Sequence, residues 1–361
     1  MILCRRWIIL FGIATLLGTT FPAAAQDQPN VRTIPVDMIG FISALSPDGQ
    51  TLAVTGHNAL YDDAVAPDLI AIRLIDLASG KETARLEGTQ TDFATGLAFS
   101  ANAQTLVSFH NNGQLLVWNV SGRKVVKSYQ LPGFGFRLPA FMPDNKSVIA
   151  VAPGSVSHVF IIDITTGYIT ATYGTAFKTY ADYRKSASSA PTTGDYIYTA
   201  LAVAPDAKSF ATSTFNDEVG LHDIASGESI VLYQPTDKKM LVNIRPISFT
   251  PDSKSLVYYS RDDKKLHKWD IATKNEANIS VSGGDYFALS WDGKFVAWID
   301  QSAVYTWDFQ AAQATKVADL DSSAKGLPGT TLYLTPDSKQ IVVANLVATS
   351  GKNMIYVIKL A

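Results

Sequence analysis

Ser46-Pro47-Asp48-Gly49, leading into Gln50-Thr51-Leu52-Ala53-Val54, is the stretch whose reading decides the fold, because its pattern returns along the whole chain. It reappears as Ala101-Asn102-Ala103, Pro143-Asp144, Pro205-Asp206, Pro251-Asp252, Trp291-Asp292-Gly293 and Pro336-Asp337. Each copy follows a short apolar stretch and precedes another, such as 105–107 and 255–258. Proline presets φ for a tight turn and aspartate hydrogen-bonds the backbone beyond it. A phrase copied at this period means that one supersecondary unit is copied.

The fifth copy shows the unit. Short strands over 246–250, 255–260, 266–271 and 277–281 are separated by turn-forming residues, and the strands are rich in β-branched and aromatic side chains. The third strand ends in Trp269-Asp270, and the same place holds Ile75-Asp76, Trp118-Asn119, Ile162-Asp163, His222-Asp223 and Trp307-Asp308. A second turn follows in Ala78-Ser79-Gly80, Ser121-Gly122, Thr165-Thr166-Gly167 and Ala225-Ser226-Gly227. The turn residues at 48, 102, 144, 206, 252, 292 and 337 are 40 to 62 residues apart. No stretch sustains a helical period. This predicts an all-β fold, a seven-bladed β-propeller of four-stranded antiparallel blades. The last copy runs out after its third strand at 354–360, while a spare strand at 31–36 precedes the first copy. Pairing the two closes the ring and removes an exposed sheet edge.

These turns, the Trp-Asp or Ile-Asp third strand and the Ser-Gly turn after it resemble the WD-repeat β-propeller family, over nearly all of 31–361. The chain departs from that pattern. The Gly-His pair that precedes the first strand in typical members is missing from every blade, and Gly56-His57 follows a second strand instead. The resemblance is therefore to degenerate propellers of bacterial exported proteins. The repeat aspartates are expected to be turn and strand-end hydrogen-bonders.

Residues 1–25 read as a signal peptide, with Arg5-Arg6 before an apolar run and Ala23-Ala24-Ala25 as the cleavage site. That leaves 26–361 as one propeller domain, monomeric, with no membrane span, in the bacterial periplasm or secreted. Cys4 is the only cysteine, so the released chain has no disulfide, thiol nucleophile or thiolate metal ligand. Of 30 basic and 32 acidic residues, loss of Arg5 and Arg6 leaves 28 against 32, with no basic stripe for nucleic acid.

In each blade the first and third turns share one face and are tight. The second turn and the link between blades share the other face, and the insertions fall there, at 57–68, 174–194 and 345–353. Loops on a rigid scaffold carry function, so candidate binding residues are Tyr61, Asp62 and Asp63 in the first insertion. Phe177, Tyr180, Tyr183, Arg184 and Lys185 in the second are of types enriched at interaction hot spots. Channel-rim candidates on that face are His57, His110, Asp217, Asp262 and Asp300. No nucleophile elbow, phosphate loop or paired histidine motif occurs, and no cofactor, metal or catalytic residue is assigned. The expectation is a non-catalytic scaffold that binds a protein or peptide through the insertion face. The alternative is a propeller enzyme, lactonase-like or quinone-linked dehydrogenase-like, with its site at the channel mouth.

Overall fold

The computed structural model describes residues 28–38, 41–56, 70–88, 92–132, 135–152, 158–174, 198–214, 218–234, 247–260, 262–281, 286–300, 302–321, 325–347 and 353–360. They form seven four-stranded antiparallel sheets. Blade 1 consists of Phe41–Leu45, Thr51–Gly56, Ile72–Asp76 and Glu82–Leu86, and blade 2 of Ala94–Phe99, Thr105–His110, Gln114–Asn119 and Lys124–Gln130. Blade 3 consists of Arg137–Phe141, Ser147–Ala152, His158–Asp163 and Ile169–Tyr173, and blade 4 of Tyr198–Val203, Ser209–Thr214, Val219–Asp223 and Ser229–Tyr233. Blade 5 runs through Ile247–Phe249, Ser255–Ser260, Lys265–Asp270 and Glu276–Ser280, and blade 6 through Phe287–Leu289, Phe295–Asp300, Ala303–Asp308 and Gln313–Asp319. Blade 7 takes Lys325–Leu334, Gln340–Val347 and Asn353–Lys359 from the end of the chain and its fourth strand, Val31–Val36, from the beginning.

The expected closure is made by an antiparallel pair, from Val31 opposite Ile358 to Val36 opposite Asn353. The Tyr333 hydroxyl adds a cross-blade tie, donating to the Ser43 carbonyl at 2.8 Å. First strands of successive blades contact one another and surround the channel. Second strands are buried almost throughout, which is why Val148-Ile149-Ala150-Val151 is a continuous apolar run rather than an alternating one. Fourth strands face solvent, as Lys124–Gln130 does. The core is therefore layered between blades; Phe109, Leu115 and Val117 of blade 2 meet Val148, Phe160 and Ile162 of blade 3.

Strand limits differ from the sequence reading by a residue or two. In blade 5 the first strand stops at Phe249 because Thr250 belongs to the turn, its hydroxyl accepting from the Ser255 N–H at 2.9 Å.

Candidate binding site at the mouth of the central channel

The seven first turns share one construction. The residue after the turn aspartate or asparagine has positive φ in every blade: Gly49, Ala103, Asn145, Ala207, Ser253, Gly293 and Ser338, between 55° and 71°. A type I turn followed by one left-handed residue matches the twist of the strands it joins. The turn carboxylate accepts the N–H two residues on, at 2.9 Å from Gln50 to Asp48 and 3.0 Å from Lys254 to Asp252. In blades 1, 2, 5, 6 and 7 a hydroxyl two residues earlier completes a clasp: Ser46, Ser100, Thr250, Ser290 and Thr335 each donate to the turn side chain. Each also accepts the N–H of the residue that opens the second strand. These bonds hold the carboxylates of Asp252 and Asp337 below their ordinary pKa, the Thr250 and Thr335 hydroxyls being the largest cause.

Blades 3 and 4 lack the hydroxyl and carry Met142 and Ala204 in its place. Both line a cavity of about 490 Å³ on the tight-turn face, over the ends of the first strands. Leu45, Phe99, Phe141 and Val203 form its floor as the last residues of their strands, and Pro47, Ala101, Pro143, Pro205 and Trp291 form its rim. Trp291 replaces the usual proline of the turn. It is 52% exposed, and its indole N–H is engaged by the Leu334 carbonyl at 3.0 Å. Five blades thus contribute one apolar collar. With the clasp hydroxyls and the Trp291 N–H already bonded, it can grip a ligand by apolar contact rather than by polar exchange.

Most of the sequence-derived candidates, namely His57, Tyr61, Asp62, Asp63, Phe177, Tyr180, Tyr183, Arg184, Lys185 and Asp217, lie outside the described residues. The remaining three stand in blades 2, 5 and 6 and share no hydrogen bond with one another. His110 is fully buried, with Nε2 2.9 Å from the Ser108 hydroxyl and Nδ1 2.9 Å from the Asp92 carbonyl. Ser108 also accepts from the Trp118 indole at 2.9 Å, so the ring serves a network inside its blade. Burial lowers its pKa. Asp300 ends the second strand of blade 6, opposite Ala303.

Asp262 belongs to a seam between blades 4 and 5, where it accepts the Tyr233 hydroxyl at 3.2 Å. Beside it His267, 3% exposed, sets Nδ1 against Glu276 and Nε2 3.2 Å from Asp263. The Tyr258 ring stacks on His267 at 4.8 Å between centroids. Burial drives the Tyr233 hydroxyl up to about 12. No group of three or more His, Cys, Asp or Glu side chains among the described residues is placed to hold a metal ion. Among the same residues, no helix is long and apolar enough to cross a membrane.

Sequence reasoning passed over the collar and the His267 seam. The collar had a readable signal in the residue just before each turn aspartate, where proline or tryptophan recurs in six of seven copies.

No protein-family model matches the chain, and no curated protein matches it. A chain of the solved Kuenenia stuttgartiensis hydrazine synthase superposes with a TM-score of 0.62, covering 91% of this chain and 97% of that one at 17% identity. At that identity the likeness is one of fold, the seven-bladed propeller.

Proposed function

We propose that the chain is a non-catalytic propeller scaffold that takes an apolar segment of a protein or peptide partner at the tight-turn mouth of its channel. The collar carries this reading: aliphatic, aromatic and proline side chains from five blades, with an exposed tryptophan at the rim. Tryptophan is enriched among residues that dominate binding energy. The insertion face supplies a second contact in this reading, through the aromatic and cationic residues of 174–194. Residues 1–25 fit export to the periplasm or beyond, where such a scaffold would meet its partner.

The test is capture from native extract with the mature chain beside a Trp291→Asp, Pro143→Glu variant of equal thermal stability. A partner held by the first and lost by the second is the expected result. Equal capture by both would place the contact elsewhere. Turnover of a lactone or of a quinone-linked alcohol by the purified chain would overturn the non-catalytic reading in favour of the enzyme alternative.

A further inference from the structure

The outermost strand of each blade ends its sheet and leaves one edge open. An open edge is a row of unpaired N–H and C=O groups, a template for another strand, and charged side chains, proline or a bulge ordinarily blunt it. Five of the seven blades carry charge there. Glu82 and Arg85 stand on the outer strand of blade 1, Lys124 and Lys127 on blade 2, and Glu276 on blade 5. Lys316 and Asp319 stand on blade 6, and Arg32 with Pro35 on blade 7. Blade 3 has no charge in Ile169–Tyr173, but its register shifts across Thr170, whose hydroxyl turns inward and donates to the Ile161 carbonyl at 3.2 Å.

Blade 4 has none of these devices where its outer strand begins. Ser229–Tyr233 carries no charge and no proline, and its register with the third strand is unbroken from Ser229 to Val231, shifting only beyond. Ile230 is 47% and Val231 56% exposed, one on each face of the sheet. Val126 of blade 2 is also exposed, but it sits in a bulge beside Lys127. The Ser229 hydroxyl, 2.7 Å from His222 Nδ1, fixes the start of the strand. The Asp223 N–H donates to the Glu228 carbonyl at 2.8 Å. Bonded and non-bonded pairs alternate from there. Ile230 is therefore bonded inward to Leu221, while the N–H and C=O of Ser229 and Val231 point out of the edge.

Those outward groups fit an extended strand, and they fit a copy of themselves. About a two-fold axis at Ile230, an antiparallel mate sets Ser229 opposite Val231 of the partner subunit, each N–H meeting a C=O. Ile230 then faces Ile230 of the partner subunit at a non-bonded position, where side chains lie closest. No charge is buried, because the side chains that a mate must accept are the uncharged ones the strand itself presents. We propose that Ser229–Val231 is the seam of a homodimer, in which blade 4 pairs edge to edge with blade 4 of a second copy of this chain, in place of the monomer expected from the sequence. Such an isologous contact closes on itself. The seam is separate from the apolar collar, and the two readings stand or fall independently.

The experiment is sedimentation equilibrium of the full mature chain over a wide concentration range. The expected result is a mass that rises from one chain to two and stops there. Ile230→Lys, with thermal unfolding unchanged, sets lysine against lysine across the two-fold and should weaken dimerisation at least about tenfold. An equal mixture of Ile230→Lys and Ile230→Glu should restore it. Val231→Pro removes an outward N–H without touching the ladder inside the blade, and it should weaken dimerisation as well. A single-chain mass at every concentration, a dimer indifferent to Ile230→Lys or Val231→Pro, or a mixture no better than either variant alone would overturn the proposal.

Discussion

Blades 2 and 5 carry the same tryptophan in the same place and treat it differently. Trp118 pairs in register with Leu106, and Trp269 with Leu256. Two residues further along the neighbouring strand, blade 2 has Ser108 and blade 5 has Tyr258. The serine hydroxyl takes the Trp118 indole N–H and passes the chain of bonds to His110. The tyrosine ring stacks on His267 instead, and the buried Trp269 N–H finds no acceptor among the described residues. Where a blade carries a ring at this position, the polar group that answers it is chosen blade by blade. Blade 4 makes the same point with another ring: His222 stands in the tryptophan place, stacked on Phe210 at 4.5 Å, with Thr212 and Ser229 hydroxyls at 2.8 and 2.7 Å from its nitrogens.

The comparison can be broken most forcibly at its best-packed member. Trp118→Ala empties a fully buried site and should cost about 3–5 kcal/mol in chemical denaturation, more than Trp269→Ala at its partly buried place. An equal loss in both would mean that the two blades are equally committed to the ring. Next in size, Ser108→Ala leaves the indole and imidazole of blade 2 facing no hydroxyl and should cost about 1–3 kcal/mol. A neutral result would remove the network from the account of stability.

Blade 4 sharpens the contrast through pH. Burial depresses the His222 pKa from 6.5 to about 4. The unfolded chain therefore binds this proton at a higher pH than the folded one, so the contribution is complete above pH 6.5 and is lost as pH falls toward 4. The melting temperature should drop across that window, and the part due to His222 should vanish in His222→Phe; an unchanged slope would refute it. The smallest effect belongs to Trp269→Phe, which removes an N–H that had no acceptor among the described residues. It should cost less than about 1.5 kcal/mol, well under the same substitution at Trp118.

The seven turns were legible because their chemistry is local: Asp252 binds Lys254 and Thr250, all within five residues. Ring closure was legible from the unmatched strand at each end. What sequence reading could not place depends on register and on distant blades. His110 lies at the end of a second strand as expected, but only the pairing of Thr105–His110 with Gln114–Asn119 shows that Ser108, beside it on that strand, meets Trp118. Apolar residues from five copies become a collar only when the ring sets them side by side.

The pairing of Val31–Val36 with Asn353–Lys359 also sets an order of events. The earliest strand of the propeller to be made waits for the latest. Until these two strands meet, blade 7 lacks its outer strand, one edge of its sheet stays unpaired and the circle stays open.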